Sequence, residues 1–270
     1  MRPSTSAATA ALDRLTIAAI AVIAYCLANV IHEAAGHGVA CVLVGGHPVR
    51  LDSMSFSCAE ESVSPGGLRL LAAGGTVANL IVAAVILTTR RAAERWSPAA
   101  RYFLWLFLAV NVLTAFGYLL FSGVGNIGDW AMVIKGLPVA WLWRLGEIAV
   151  GGVLYFVVAP RLLWPGLVPF LGSDPPQRVA RLTVFPYWIG GITFLVSSAF
   201  NPNGIQFVLL AGAAAFGGTS LLAWYFTNRT QHSTGLDSEA IGIPRSLAWI
   251  VAAMVTLAIF VGGLGRGVSL

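Results

Sequence analysis

A chain of 270 residues that is 57% hydrophobic and only 10% charged cannot cover the surface of a soluble domain, which carries about 25% charged residues. The mean hydropathy of +0.81 agrees with this composition, so we expect lipid to surround much of the chain. The net charge of +5 comes from basic residues scattered through loops, a distribution that argues against nucleic-acid binding and reports membrane orientation instead.

Seven stretches of the chain are apolar enough to cross a membrane, which takes about 20 residues. Because backbone groups in lipid must be hydrogen-bonded within their own segment, these stretches are predicted to be helices. The predicted fold is therefore an all-α polytopic membrane protein with six or seven transmembrane helices. The fourth and fifth stretches are short and carry Pro160 and Pro186 at or near their ends. The predicted spans are 15–44, 70–87, 102–121, 145–159, 184–200, 205–226 and 247–264.

The first predicted span holds three titratable residues, His32, Glu33 and His37, in an otherwise apolar run. Such side chains are costly inside a membrane helix and mark functional sites by default. Two imidazoles can hold a Zn²⁺ ion, and an adjacent carboxylate can accept a proton from the water that the ion activates. We therefore predict a zinc site for hydrolysis, with Glu33 as the general base.

The spacing of the two histidines predicts a distortion of this helix. The usual pattern is H-E-x-x-H, whereas the sequence HEAAGH places His32 and His37 five residues apart. In an α-helix, residues five apart lie about 140° apart, so both rings could not reach one ion. A π-bulge would correct this, and the small residues 34–36 permit one, although a break at Gly36 would serve as well. In the alternative pairing, Glu33 and His37 are the ligands and no base remains. We favour the bulge.

The loop that follows, residues 45–67, contains an alternating stretch at 49–56 that predicts an edge strand or a hairpin beside the helices. Cys58 lies in this loop, while Cys26 and Cys41 lie in the first helix, too far apart to pair with each other. The sequence has no disulfide framework and no Cys-x-x-Cys metal knuckle. We interpret all three cysteines as packing residues.

Asp129 is the best candidate for a third metal ligand. It follows the third span in GVGNIGDWAMV, a Gly-rich turn that leads into an apolar helix, where irregular backbone can line a cavity. The alternative is an interfacial loop or helix-cap residue. Asn126, in the same turn, could donate a hydrogen bond to a substrate carbonyl.

Three segments resemble, in the same order, motifs of the site-2 protease family of zinc intramembrane metalloproteases. HEAAGHGVACVLVGGHPV is similar to the family's H-E-x-G-H helix and Gly-rich turn, and AAGGTVANLIVAA is similar to its A-G-P-x-x-N helix. NVLTAFGYLLFSGVGNIGDW is similar to its segment that ends in Asp-Gly. The motifs cover about residues 25–135, half of a single membrane domain that spans 1–270. This resemblance makes 15–135 a metalloprotease-like three-helix core, and leaves 140–270 as additional helices of unknown role.

The resemblance implies that Zn²⁺ is the cofactor and that the substrate is a membrane-embedded peptide or protein segment. The sequence departs from the family pattern at the histidine spacing, at the missing proline of GGTVAN, and at Trp130 in place of glycine. The implied roles are metal ligand for His32, His37 and Asp129, general base for Glu33, and substrate binding for Asn79 and Asn126.

The expected function is a zinc-dependent intramembrane hydrolase, a metalloprotease that cleaves a peptide bond in or near a membrane segment. The departures favour a second hypothesis, a non-catalytic metal-binding or partner-binding membrane protein on the same scaffold. A small transporter is a third hypothesis, since glycines and prolines interrupt the spans, but the sequence shows no inverted repeat. The expected partners are the lipid bilayer and the embedded substrate, without nucleic acid.

The expected location is a bacterial inner (plasma) membrane. The basic residues predict that the N-terminus is cytoplasmic, because eleven of the 16 then face the cytoplasm. These are Arg2, Arg14, Arg90, Arg91, Arg95, Arg101, Arg161, Arg178, Arg181, Arg229 and Arg245. The opposite side holds Arg50, Arg69, Lys135, Arg144 and Arg266. His32 and His37 come late in the first span, so the site is expected towards the outer face, whereas the family usually holds its metal nearer the cytoplasm.

Overall fold

The structure, a computed structural model, describes residues 11–172, 175–201, 204–231 and 239–270. Within these ranges, seven helical segments are long and apolar enough to cross a membrane, which confirms the all-α polytopic prediction. In chain order, the first to seventh spans are Arg14–Leu43, Pro65–Thr89, Pro98–Gly125, Ala140–Phe170, Pro175–Ser198, Val208–Thr230 and Leu247–Leu264.

Several spans are composite helices, in which α-helical and π-helical segments follow one another. The first is α-helical over Arg14–Val30 and Val39–Leu43, with a π-helix at Ile31–Gly38 between them. The fourth comprises Ala140–Val153, the π-helix Leu154–Val158, Ala159–Leu167 and the 3₁₀ turn Val168–Phe170. The fifth comprises Pro175–Val179, the π-helix Ala180–Val184 and Phe185–Ser198. The sixth comprises helices Ile205–Gly218 and Leu221–Gln231, and the seventh comprises Leu247–Leu257 and the π-helix Ala258–Leu264. Short helices outside the spans are Ala92–Arg95 and Asp129–Ile134.

The fourth and fifth spans are longer than the sequence predicted, at 31 and 24 residues, because their prolines do not end them. A proline removes one helical hydrogen bond, and its ring clashes with the carbonyl four residues earlier. In both spans a π-helical segment precedes the proline, Leu154–Val158 before Pro160 and Ala180–Val184 before Pro186. A π turn pairs each carbonyl with the N–H group five residues later, so the helix continues past the proline.

The first and third spans form the centre of the bundle. Ile17, Ile20 and Ala24 of the first span are fully buried, and so are Leu106 and Leu113 of the third. The third, fifth and seventh spans pack against the α-helical part of the first span, and the second span packs against its π-helix. Helices from both halves of the chain therefore surround Arg14–Val30, while the π-helix that carries His32 and His37 lies against the second span.

A three-stranded antiparallel sheet covers one end of the bundle. Its strands are β1 (His47–Leu51), β2 (Phe56–Ala59) and β3 (Val268–Ser269), in the order β2-β1-β3. β1 and β2 form a hairpin, as the alternating stretch at 49–56 predicted. Asp52 closes the turn, since its carboxylate accepts hydrogen bonds of 2.7 and 2.8 Å from the backbone N–H groups of Met54 and Ser55.

The interpretation of all three cysteines as packing residues is wrong for two of them. Cys41, near the end of the first span, forms a disulfide with Cys58 of β2. Cys26 is a free, buried cysteine. The bond depends on how the hairpin folds back over the helix end, which the spacing of 17 residues does not reveal. It fixes β2 against the first span.

Two contacts of basic residues lie at opposite ends of the bundle. At the end that holds Asp13, Arg245 forms an ion pair with this carboxylate at 3.1 Å. At the sheet end, the Arg50 guanidinium donates a hydrogen bond to the backbone carbonyl of Arg266. Arg2, which the count also included, lies outside the described residues.

Candidate metal centre

The π-helix Ile31–Gly38 brings the two histidines of the first span together. Its i→i+5 hydrogen bonding widens the turn, so residues five apart lie on one face. The Nε2 atoms of His32 and His37 are 3.3 Å apart as a result. The predicted bulge is confirmed, and the chain runs through Gly36 as a continuous helix.

Asp129 completes a close triangle of potential ligand atoms. Its Oδ2 atom lies 3.1 Å from Nε2 of His32 and 3.3 Å from Nε2 of His37. Burial raises the pKa of the Asp129 carboxyl, but its hydrogen bonds with the two histidines outweigh this effect and lower the pKa to about 2. Asp129 is therefore an ionised carboxylate at neutral pH, the form that binds metal ions.

Glu33 belongs to the same buried cluster, at a greater distance from the histidines. His32, Glu33 and His37 could hold a metal ion, since each offers a ligand atom within 4.8 Å of the others. The three atoms of the triangle, contributed by the two histidines and Asp129, lie within 3.3 Å of one another. Asp129 is thus the better placed carboxylate for a ligand, and Glu33 is left beside the centre.

A sharp turn positions Asp129 after the third span. Asn126 and Gly128 both have positive φ angles, of 53° and 80°, which let the chain reverse into the helix Asp129–Ile134. Trp130 holds this helix on the second span through a 3.1 Å hydrogen bond from its Nε1 to Oγ1 of Thr76. Asn126 is exposed, caps the C-terminal end of the third span, and does not line the cavity described below.

In each histidine, the Nδ1 atom is hydrogen-bonded to an oxygen on the side of the ring that faces away from the triangle. Nδ1 of His37 lies 2.8 Å from the backbone carbonyl of Leu71, which can only accept, so this nitrogen carries the hydrogen. Nδ1 of His32 lies 2.6 Å from Oδ1 of Asn79. With an ion bound, each ring would be neutral with its hydrogen on Nδ1, and its Nε2 lone pair would face the ion in place of the hydrogen bond to Asp129, an arrangement that is typical of metal-binding histidines.

Asn79 orients His32 and does not contact the cavity, in contrast to the substrate-binding role that the resemblance implied. Its side chain is fully buried, and its Nδ2 donates to Oδ1 of Asn111 at 2.7 Å and to the carbonyl of Ala28 at 3.3 Å. Asn111 in turn donates to the carbonyl of Phe107 at 2.8 Å. Asn111 was missed as a site residue, although a polar side chain in the middle of the third span is itself a signal.

The backbones of the second span and the π-helix contact each other directly, at positions where both helices have glycine. A Cβ atom added to Gly36 would lie 2.8 Å from the carbonyl oxygen of Gly74. A Cβ atom added to Gly75 would overlap the imidazole of His32. Small residues at such contacts let helix backbones approach closely in membranes. The pair Gly74 and Gly75 therefore leaves room for the ring that the site needs.

A cavity of about 580 Å³, large enough for a small ligand or a short peptide segment, opens onto the metal centre. Glu33 lines it, and the Glu33 carboxylate has no hydrogen-bond partner among the residues that the structure describes. The exposed side chains of Glu60 and Lys135 line the end of the cavity near the sheet, which is its mouth. Val110 and Phe194 line the inner part, so helices from both halves of the chain contribute to the walls.

Comparison of the chain with protein-family models, curated proteins and solved structures found no match. The function must therefore be inferred from the chemistry of the site. That chemistry combines a buried triangle of two imidazole nitrogens and one carboxylate oxygen with a free carboxylate and a cavity.

We expect Asn79→Leu to weaken metal binding about 10- to 100-fold, because it removes the acceptor that fixes the His32 ring. Chelator competition with Zn²⁺ in detergent would measure the dissociation constant. Asn29→Leu is the matched control, since the Asn29 amide bonds the carbonyl of Ser53 at 2.8 Å and not a histidine. Equal affinity in Asn79→Leu and the wild type would contradict the orienting role.

Proposed function

We propose that the protein is a zinc-dependent intramembrane hydrolase, a site-2-protease-like metalloprotease that cleaves a peptide bond in or near a membrane segment. The observation that carries this proposal is the triangle of Nε2 of His32, Nε2 of His37 and Oδ2 of Asp129, with sides of 3.1 to 3.3 Å. Ligands at about 2.0–2.1 Å from a tetrahedral Zn²⁺ ion lie about 3.3–3.4 Å apart. The triangle fits three corners of such a site.

The kinds of ligand also favour zinc. Imidazole nitrogens suit zinc and several transition metals, whereas magnesium and calcium prefer oxygen ligands throughout. Three protein ligands with a fourth position left open are typical of catalytic zinc sites. All three ligands line the cavity, so the open corner would face the space that a substrate would occupy.

Glu33 would carry the proton in this reaction. A zinc ion in the site would polarise the scissile carbonyl and make a water molecule more acidic. Glu33 then accepts a proton from the attacking water and delivers it to the nitrogen of the leaving amine. Its unpartnered carboxylate beside the ligands suits this role, since a base engaged elsewhere would first have to break a hydrogen bond.

The position of the cavity supports a membrane-embedded peptide as the substrate. Its inner wall is apolar at Val110 and Phe194, within the third and fifth spans, while its mouth carries Glu60 and Lys135. A peptide bond at this depth is protected while it stays helical, because its carbonyl is hydrogen-bonded within the helix. The substrate segment would have to unwind locally to present that carbonyl to the site.

We propose further that the cavity opens on the outer side of the membrane, with the N-terminus in the cytoplasm. The disulfide between Cys41 and Cys58 lies at the sheet end, and Cys58 also lines the cavity. Disulfides persist in oxidising compartments and are rare in the cytoplasm. The greater number of basic residues at the opposite end independently gives the same orientation.

The metal content of the detergent-purified protein tests the proposal directly. We expect about one zinc per chain in the wild type and loss of the zinc in His37→Ala, since two ligands alone leave the ion weakly held. His47→Ala is the matched control, because His47 is exposed in β1. A wild type that holds no metal, even after zinc is added back, would end the hydrolase proposal.

A further inference from the structure

Tyr118 lies on the face of the third span that covers the metal centre. Its ring packs edge-on against the imidazole of His32, with the ring centroids 5.6 Å apart. A Cβ atom added to Gly128, the residue before Asp129, would lie 3.2 Å from the Tyr118 hydroxyl oxygen. The hydroxyl therefore lies against the turn that carries Asp129.

The Tyr118 hydroxyl differs from the hydroxyls of the other tyrosines in the core. Those of Tyr25, Tyr102 and Tyr155 donate hydrogen bonds of 2.8 to 3.2 Å to protein oxygens. The side chain of Tyr118 is half-buried, and its hydroxyl has no hydrogen-bond partner in the described part of the chain. Tyr118 also lines the cavity, so its O–H group is free to donate to a bound molecule.

Two other strong donors on the cavity wall are already engaged by the protein. The Asn29 amide donates to the carbonyl of Ser53 at 2.8 Å, and Nε of Arg69 donates to the carbonyl of Val133 at 3.1 Å. The Nδ1 hydrogens of both histidines point away from the cavity, to Asn79 and the Leu71 carbonyl. Tyr118 thus offers a donor next to the ligands that no protein group uses.

We propose that Tyr118 is a further catalytic residue of this site, whose hydroxyl donates a hydrogen bond to the oxygen of the scissile carbonyl as negative charge develops there. The assignment rests on the proposed hydrolase function. A donor that is already in place stabilises such an oxyanion strongly in a site that excludes water, and removal of one typically costs about 10²- to 10³-fold in kcat.

The reaction balances with Tyr118 as a donor that keeps its proton. The water oxygen bonds to the carbonyl carbon, the C=O electron pair moves onto the carbonyl oxygen, and Glu33 takes the water proton. Tyr118 stabilises the charged oxygen through its hydrogen bond. When the C–N bond breaks, the C=O bond re-forms and Glu33 returns the proton to the departing nitrogen. Peptide and water become a carboxylic acid and an amine.

Binding of methylphosphonate, a small tetrahedral anion, to protein loaded with Co²⁺ in place of zinc tests this assignment without a known substrate. The visible absorption of Co²⁺ would report both metal loading and binding of the anion. We expect Tyr118→Phe to bind cobalt like the wild type and to raise the dissociation constant for methylphosphonate about 10- to 100-fold, as loss of a hydrogen bond to a charged group does. Tyr187→Phe is the matched control, since Tyr187 packs against Trp188 outside the cavity lining.

The possible results separate the two proposals. Equal methylphosphonate affinity in Tyr118→Phe and the wild type, with cobalt bound in both, would overturn the role of Tyr118 and leave the hydrolase proposal intact. Loss of cobalt from Tyr118→Phe would also overturn it, because the residue would then be needed to hold the site together. A wild type that binds no cobalt would overturn the proposed function, and the role of Tyr118 with it.

Discussion

Glu33→Gln should lose about 10²- to 10⁴-fold in hydrolytic rate while it keeps its metal, because an amide of the same shape cannot accept a proton. The ligand triangle does not include Glu33, so the ion should stay in place. The measurement is cleavage of a library of synthetic membrane-spanning peptides in detergent, read by mass spectrometry, with the zinc content determined on the same samples.

Glu60→Gln provides the control for this experiment. Glu60 is a second carboxylate of the cavity lining, but it is exposed at the mouth, so its loss should leave the rate within a few-fold of the wild type. If Glu33→Gln turned over peptides as fast as the wild type, the general-base role would be refuted. A wild type that bound zinc and cleaved no peptide would favour the non-catalytic alternative on the same scaffold.

Gly75→Ala should damage the site as much as loss of a ligand, although it adds only one methyl group. The new Cβ would overlap the imidazole of His32, and the second span cannot move away without losing its backbone contact with Gly36. The ring would have to rotate and lose its hydrogen bond to Asn79. We expect this to weaken zinc binding by about 100-fold, the upper end of the range for mutations of residues that hydrogen-bond a metal ligand. Overpacking should also cost about 1–3 kcal/mol of stability.

Chelator competition gives the zinc affinity of this variant, and thermal unfolding gives its stability. Gly66→Ala, on the same helix, is the control because a Cβ atom there would meet open space. Wild-type zinc affinity in Gly75→Ala would mean that the helices do not approach as closely as described.

The sequence predicted best where one physical requirement dominates. Lipid demands long apolar helices, so hydropathy alone located all seven spans. Both histidines must point to the same ion, and a spacing of five residues does not allow this in a straight α-helix. The spacing therefore predicted the π-helix at Ile31–Gly38.

The features that sequence reasoning missed depend on how separate segments meet in space. Cys41 and Cys58 pair because the hairpin folds back over a helix end, and the distance along the chain carries no sign of this. Asn79 was expected to contact substrate, yet it lies behind His32, and a motif does not show on which side of a ring its residues will sit. The carbonyl of Leu71 fixes His37 through the backbone alone, so no choice of side chain could reveal it.

The strand β3 has a consequence for the order in which the protein is assembled. It pairs Val268 and Ser269 with the β1 strand of the hairpin, and the nearby contact between Arg50 and Arg266 joins residues 216 positions apart in the chain. β3 follows the seventh span, so the sheet cannot be completed until that span has been synthesised and inserted. The hairpin near the cavity mouth therefore lacks its third strand until the seventh span is in place, so the sheet forms in two stages that are separated by the insertion of the remaining spans.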